Sequence, residues 1–172
     1  MTAALSVLIA LALMGAFDTI VFHELVAKLS ENPAARRELQ LHASRDCVYV
    51  VLFGSLAWLH PHGWLVVLLA VLLATEIAIT LSDFIVEDRT RRLPPGERTM
   101  HAIMGITYGV FAALLFPRAV EWLGAPAGFE HAYYGWMTWL LTAFAIGVGL
   151  SGIRDVIASA ALARRGDVDP AV

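Results

Sequence analysis

The chain has 172 residues, 59% of them hydrophobic and 16% charged, with a net charge of −3 and a mean hydropathy of +0.70. That composition lies far from the usual soluble mix and reads as an integral membrane protein, long enough for one compact bundle but no separate soluble domain. The basic residues form short loop clusters without interleaved aromatics, which excludes nucleic acid as a partner, and the single Cys47 excludes an internal disulfide or a Cys-based metal motif.

A helical crossing of the hydrocarbon layer takes about 20 residues at about 1.5 Å each. The first predicted span runs from Ala3 to Leu25; it lacks a basic leading segment and carries Asp18, so it reads as an uncleaved helix rather than a signal peptide. The second covers Leu41 to Leu59 and ends in the turn His60-Pro61-His62-Gly63. The third starts at Trp64 and continues to Arg89, before Arg91-Arg92-Leu93-Pro94-Pro95-Gly96, whose two prolines cannot continue a helix. The fourth covers Glu97 to Phe116 and stops at Pro117. After a loop with Gly124, Pro126 and Gly128, the fifth begins near Tyr133 and leaves the bilayer around Arg154. Residues 1–165 are thus one transmembrane domain, and 166–172 a short flexible tail. Gly147, Gly149 and Gly152 suit close helix packing.

Eleven of the twelve Lys and Arg residues fall on one side of these spans, and only Arg118 falls on the other. Short loops rich in Lys and Arg stay cytoplasmic. The expected fold is therefore an all-α bundle of five transmembrane helices, N-terminus outside and C-terminus cytoplasmic, in a cytoplasmic or bacterial-type inner membrane. Trp58, Trp64, Trp122, Trp136 and Trp139 gather toward the outer ends, as an interfacial belt does.

Polar residues then acquire depths. Glu76, Asp83 and Glu87 are separated by seven and four residues, so at about 100° per residue they share one face of the third helix. Asp18, His23 and Glu24 end the first helix, His42 with Arg45 and Asp46 opens the second, and Glu97 and His101 open the fourth. All converge on the cytoplasmic third. An ionised carboxylate in hydrocarbon costs at least a few kcal/mol, so these acids require a cation or a cavity. Arg45, Arg89 or Arg154 can pair with Asp18 or Asp83 but cannot easily reach Glu76, and they leave three histidines without a role.

Imidazoles and carboxylates without thiolates are the ligand set of zinc, iron or manganese. The candidate metal ligands are Asp18, His23, Glu24, His42, Glu76, Asp83, Glu87, Glu97 and His101, enough for two carboxylate-bridged metals inside a bundle. This inventory loosely resembles the di-iron carboxylate proteins built on helical bundles. The likeness is one of ligand type: their Glu-x-x-His pairs are replaced here by Glu97-x-x-x-His101, and the His-rich boxes of membrane desaturases are missing.

With iron, the expected activity is that of an oxidoreductase working on a lipid, quinone or isoprenoid, supplied by an electron-donor protein. Tyr108, two turns beyond His101, is then a candidate catalytic residue beside Glu87. With zinc, the same site is that of an intramembrane lipid hydrolase with Glu76 or Glu87 as general base. Two further readings are a b-type haem protein with His42 and His101 as axial ligands, and a proton or metal-ion transporter, for which five helices without an inverted repeat would call for a homo-oligomer. His60, His62, Glu130 and His131 form an outer group read as loop residues, a weak metal signal.

Overall fold

The computed structural model describes residues 1–168. It is a bundle of five long helices, capped at one end by a two-stranded sheet. Helix α1 spans Thr2–Asp18 and passes directly into a π-helical segment, Thr19–Val26. Lys28 takes a left-handed backbone (φ 47°) that ends this segment, and short 3₁₀ turns at Leu29–Glu31 and Pro33–Ala35 lead into α2, Arg36–Trp58. Strand β1 (Leu59–His62) and a 3₁₀ turn lead to α3, Val66–Thr90; α4 is Pro95–Leu123, β2 is Gly128–His131 and α5 is Trp136–Val168.

Four of the helices are long and apolar enough to cross a membrane: Thr2–Val26, Gly63–Thr90, Pro95–Leu123 and Trp136–Arg165. Helix α2 is not among them. Arg36, Arg37, Glu38, Arg45 and Asp46 lower its apolarity, and it lies along α5 and α3, while α1 lies along α4. Leu5 and Leu8 of α1, Leu52, Phe53 and Leu56 of α2, Phe111 and Leu115 of α4 and Leu141 of α5 form the main apolar core. A smaller cluster of Leu29, Ala35, Leu39 and Leu162 closes the opposite end from the sheet. Outside, Ile106, Phe116, Ile146, Leu150 and Ile157 are among many large apolar side chains left exposed, whereas Asp18, His23, Glu38, Asp83, Glu87 and Glu97 are buried. This polarity is inverted relative to a water-soluble domain, whose exposed apolar patches stay small.

Several boundaries differ from the sequence expectation. Pro117 does not stop the fourth helix but lies inside α4. Proline removes one backbone donor there, and Ala119 and Trp122 beyond it still pack on the core, which holds the helix through Leu123. Residues 60–62 are not a bare turn: β1 pairs antiparallel with β2, His60 opposite Glu130. The left-handed Gly63 (φ +59°) closes this corner, where an added Cβ would lie 2.7 Å from the Ala127 Cα. Helix α5 runs on from Arg154 to Val168, so the first residues of the expected 166–172 tail are helical, and 169–172 lie outside the described residues.

Of the three packing glycines, Gly152 approaches α2 most closely, its Cβ position lying 3.1 Å from the Asp46 Cβ and 3.5 Å from the Ala43 carbonyl oxygen. Gly149 meets Val50, while nothing lies within 4 Å of Gly147. Two of the three therefore serve the α2–α5 contact.

Candidate metal centre

Each long helix except α5 brings a pair of acid and imidazole or acid and acid to the end opposite the sheet. On α2 the pair is Glu38 and His42, on α3 Asp83 and Glu87, and on α4 Glu97 and His101; each pair is four residues apart and so shares a face. The pair on α1 is Asp18 and His23, five apart. On a regular α-helix these would diverge by about 140°. The π-helical segment takes up an extra residue per turn, and it brings His23 Nε2 to 3.3 Å from Asp18 Oδ2.

Donor atoms converge in two overlapping groups. His23, Glu87, Glu97 and His101 each offer an atom, all within 4.8 Å of one another, and so do His23, Glu38, His42 and Glu87. All six side chains are buried. His23 Nε2 lies 3.6 Å from Glu97 Oε1, and His101 Nδ1 lies 3.4 Å from Glu87 Oε2. The rings of His23 and His42 are stacked, 4.5 Å between centroids and 13° apart in plane, with His101 edge-on to His23 at 6.3 Å.

Around this core stand the groups that orient it. Asp18 Oδ2 is also 3.3 Å from His101 Nε2, and Asp83 Oδ2 is 3.1 Å from His42 Nε2 and 3.0 Å from Arg45 Nη1. Arg91, from the loop between α3 and α4, donates to Glu38 (2.8 Å) and Glu97 (2.9 Å) and reaches Glu87 at 3.5 Å. Burial alone would make its guanidinium a weaker base, but the hydrogen bonds to Glu97 and Glu38 hold it above its ordinary value. Phe84 stacks on the open face of His101.

The ionic balance is incomplete. Five carboxylates, Asp18, Glu38, Asp83, Glu87 and Glu97, face two guanidiniums, Arg45 and Arg91, which leaves three negative charges if all the acids are ionised and the imidazoles neutral. Protonating all three histidines would place two buried like charges in a stack at 4.5 Å, repelling by about 4 kcal/mol. Protons on His42, His101 and one carboxyl, or a bound cation, balance the site without that stack. Moreover, Asp18 Oδ1, His23 Nδ1 and Asp83 Oδ1 are buried with neither a hydrogen bond nor an ion-pair contact. Buried polar atoms rarely stay unpaired.

Of the nine ligands expected from sequence, His23, His42, Glu87, Glu97 and His101 fall within the two groups, and Asp18 and Asp83 sit beside them against the histidines. Glu24 instead meets Arg154 at 2.8 Å, and Arg154 also pairs with Asp155. Glu76 lies farther into the bundle, accepting from the Tyr49 hydroxyl at 3.0 Å and the Thr80 hydroxyl at 2.9 Å. Tyr108 donates to the Leu73 carbonyl at 3.1 Å. Glu38 is the residue that sequence reasoning missed. Its signal was a second Glu-x-x-x-His, Glu38 to His42, matching Glu97 to His101.

The outer histidines do not converge in the same way. His60 stacks on Trp122 and contacts the Tyr134 hydroxyl, His131 packs on Trp58, and His62 meets the exposed Glu130 at 3.4 Å. No protein-family model, curated protein or solved structure matches the chain.

Proposed function

We propose that the chain is a membrane-embedded metalloprotein that holds two divalent metal ions, iron or zinc, and acts as an oxidoreductase on a lipophilic substrate. The observation that carries this reading is the pair of buried four-donor groups sharing His23 and Glu87. In this reading Glu97 and His101 would help hold one ion and Glu38 and His42 the other, with His23 and Glu87 available to both. Asp18 and Asp83 orient the imidazoles, as carboxylates behind metal-bound histidines commonly do. Arg91 donates to both oxygens of Glu38 and both of Glu97 and offsets their charge, so a metal held by these carboxylates would share them with the guanidinium.

Bound iron would supply oxygen or redox chemistry. The chain itself binds, neutralises and keeps water out, the apolar helix surfaces providing the dry surroundings that strengthen polar interactions at the site. A zinc-dependent lipid hydrolase is the second reading, in which the buried Glu87, beside His101, would serve as a general base. A haem held by His42 and His101 would have to accommodate the His23 ring, which stacks on His42 at 4.5 Å.

The bundle fits a membrane with five crossings, N-terminus outside and C-terminus cytoplasmic. This rests on the one-sided Lys and Arg distribution and on the length of α2, whose Glu38 and His42 are buried. The centre then lies near the cytoplasmic face, where an electron-donor protein has access.

Elemental analysis and a visible spectrum of protein purified without added metal test the proposal together. Two iron ions per chain support the oxidoreductase, and two zinc ions support the hydrolase. A haem Soret band, or no stoichiometric metal, overturns both.

A further inference from the structure

A cleft of about 540 Å³ opens beside the metal centre, between α3 and α4. Its volume is within the range that holds a small ligand. Glu87 and His101 form its floor, so whatever enters it stands against the centre. The cleft exists because α3 and α4 touch each other little: α4 follows α1, and α3 follows α2.

The lining changes character along its length. Phe84, Ile85, Leu93 and Ala102 give apolar walls, and Ile85 is 54% exposed, so the mouth opens sideways toward the surface that faces lipid. Arg89 and Arg98 stand on the rim, both exposed, with Asp88 as the one acid beside them. Neither arginine makes an ion pair with a protein carboxylate among the described residues. Two free guanidiniums above apolar walls match an amphiphile with an anionic head and a hydrocarbon chain. Arginine in particular matches the geometry of a phosphate through paired donors.

We infer that this cleft binds a phosphate-bearing anionic lipid, headgroup on Arg89 and Arg98 and chain along Phe84, Ile85 and Ala102. Resting on the metal-centre reading, the inference names the substrate class of that centre: a membrane lipid that reaches Glu87 and His101 from the side.

Photo-crosslinking tests it, with phosphatidic acid and phosphatidylcholine carrying the same diazirine acyl chain. The protein is reconstituted in nanodiscs, and labelled peptides are mapped by mass spectrometry. Phosphatidic acid should label the 84–102 region about tenfold or more over phosphatidylcholine, since each arginine near the membrane surface adds attraction for anionic lipid. Arg89→Gln with Arg98→Gln should bring the two lipids level, while Arg36→Gln with Arg37→Gln, which removes basic charge at the same end away from the cleft, should leave the preference intact. Ala102→Trp, which fills the cleft and spares both arginines, should cut labelling by either lipid.

Equal labelling by both lipids, equal loss in the Arg36/Arg37 variant, or full competition by inorganic phosphate would each overturn the assignment. The same preparation is assayed for metal, with and without chelation. Lipid preference without metal would uphold the cleft and count against the centre; metal without lipid preference would do the reverse.

Discussion

His23 and Glu87 belong to both donor groups, and this sharing sets the expected pattern of single substitutions. His23→Ala or Glu87→Gln should lower metal content from two per chain to less than one. His42→Ala and His101→Ala should each remove mainly the ion on their own side. Glu76→Gln should keep both ions, because Glu76 accepts from Tyr49 and Thr80 rather than facing the other donors. Metal quantification on the purified variants checks all five, and loss of metal in the Glu76 variant would contradict the assignment. Arg91 offers a second test. Removing one partner from a buried ion pair costs about 3–5 kcal/mol, so Arg91→Gln should lower the Tm of chelated protein markedly, and the loss should shrink once metal takes over the charge of Glu38, Glu87 and Glu97. The stripe Glu76, Asp83 and Glu87 was legible from spacing alone, since all three are buried on α3. Depth along that stripe was not enough to tell which member has neutral partners, because Tyr49 and Thr80 enter from places that spacing does not reveal.

At the scale of elements, the π-helical segment is what brings His23 back over Asp18, a feature hidden from any reading that assumes about 100° per residue. Deleting Val21 should let the segment relax to a regular α-helix in which this histidine stands four residues after Asp18 and keeps their shared face. The expected result is unchanged helix content by circular dichroism with metal retained, and loss of metal would contradict this role of the segment. Helix α2 is held against α5 at Gly152, where a larger side chain would meet Asp46 and the Ala43 carbonyl. Gly152→Val should therefore destabilise the bundle by about 1–3 kcal/mol, read as a lower Tm. The sequence marked these glycines as packing positions, but it gave no sign of the β1–β2 pairing, which joins segments about 70 residues apart in the chain. Burial in that corner lowers the affinity of His60 for a proton, so its neutral form is favoured by folding. Stability from this contact is present at neutral pH and falls away as the pH drops below the ordinary imidazole range; His60→Gln should flatten that part of the profile.

Across the whole molecule, the arrangement is a polar interior at one end inside an apolar exterior. Composition and hydropathy were enough to expect the helical bundle, and four helices are apolar enough to cross a membrane. Helix α2 falls short of that apolarity, in part because Glu38 and His42 are buried among the clustered donors and Arg45 lies against Asp83, while Arg36 and Arg37 are exposed. For the same reason the two Glu-x-x-x-His sequences at the starts of α2 and α4 carry more information than either helix's apolarity. X-ray absorption spectroscopy at the edge of the bound metal reads the centre itself. The account predicts a first shell of nitrogen and oxygen at about 2.0–2.2 Å, with a second metal at about 3.5–4 Å. A sulfur shell, a porphyrin pattern, or an isolated ion without a metal neighbour would contradict it.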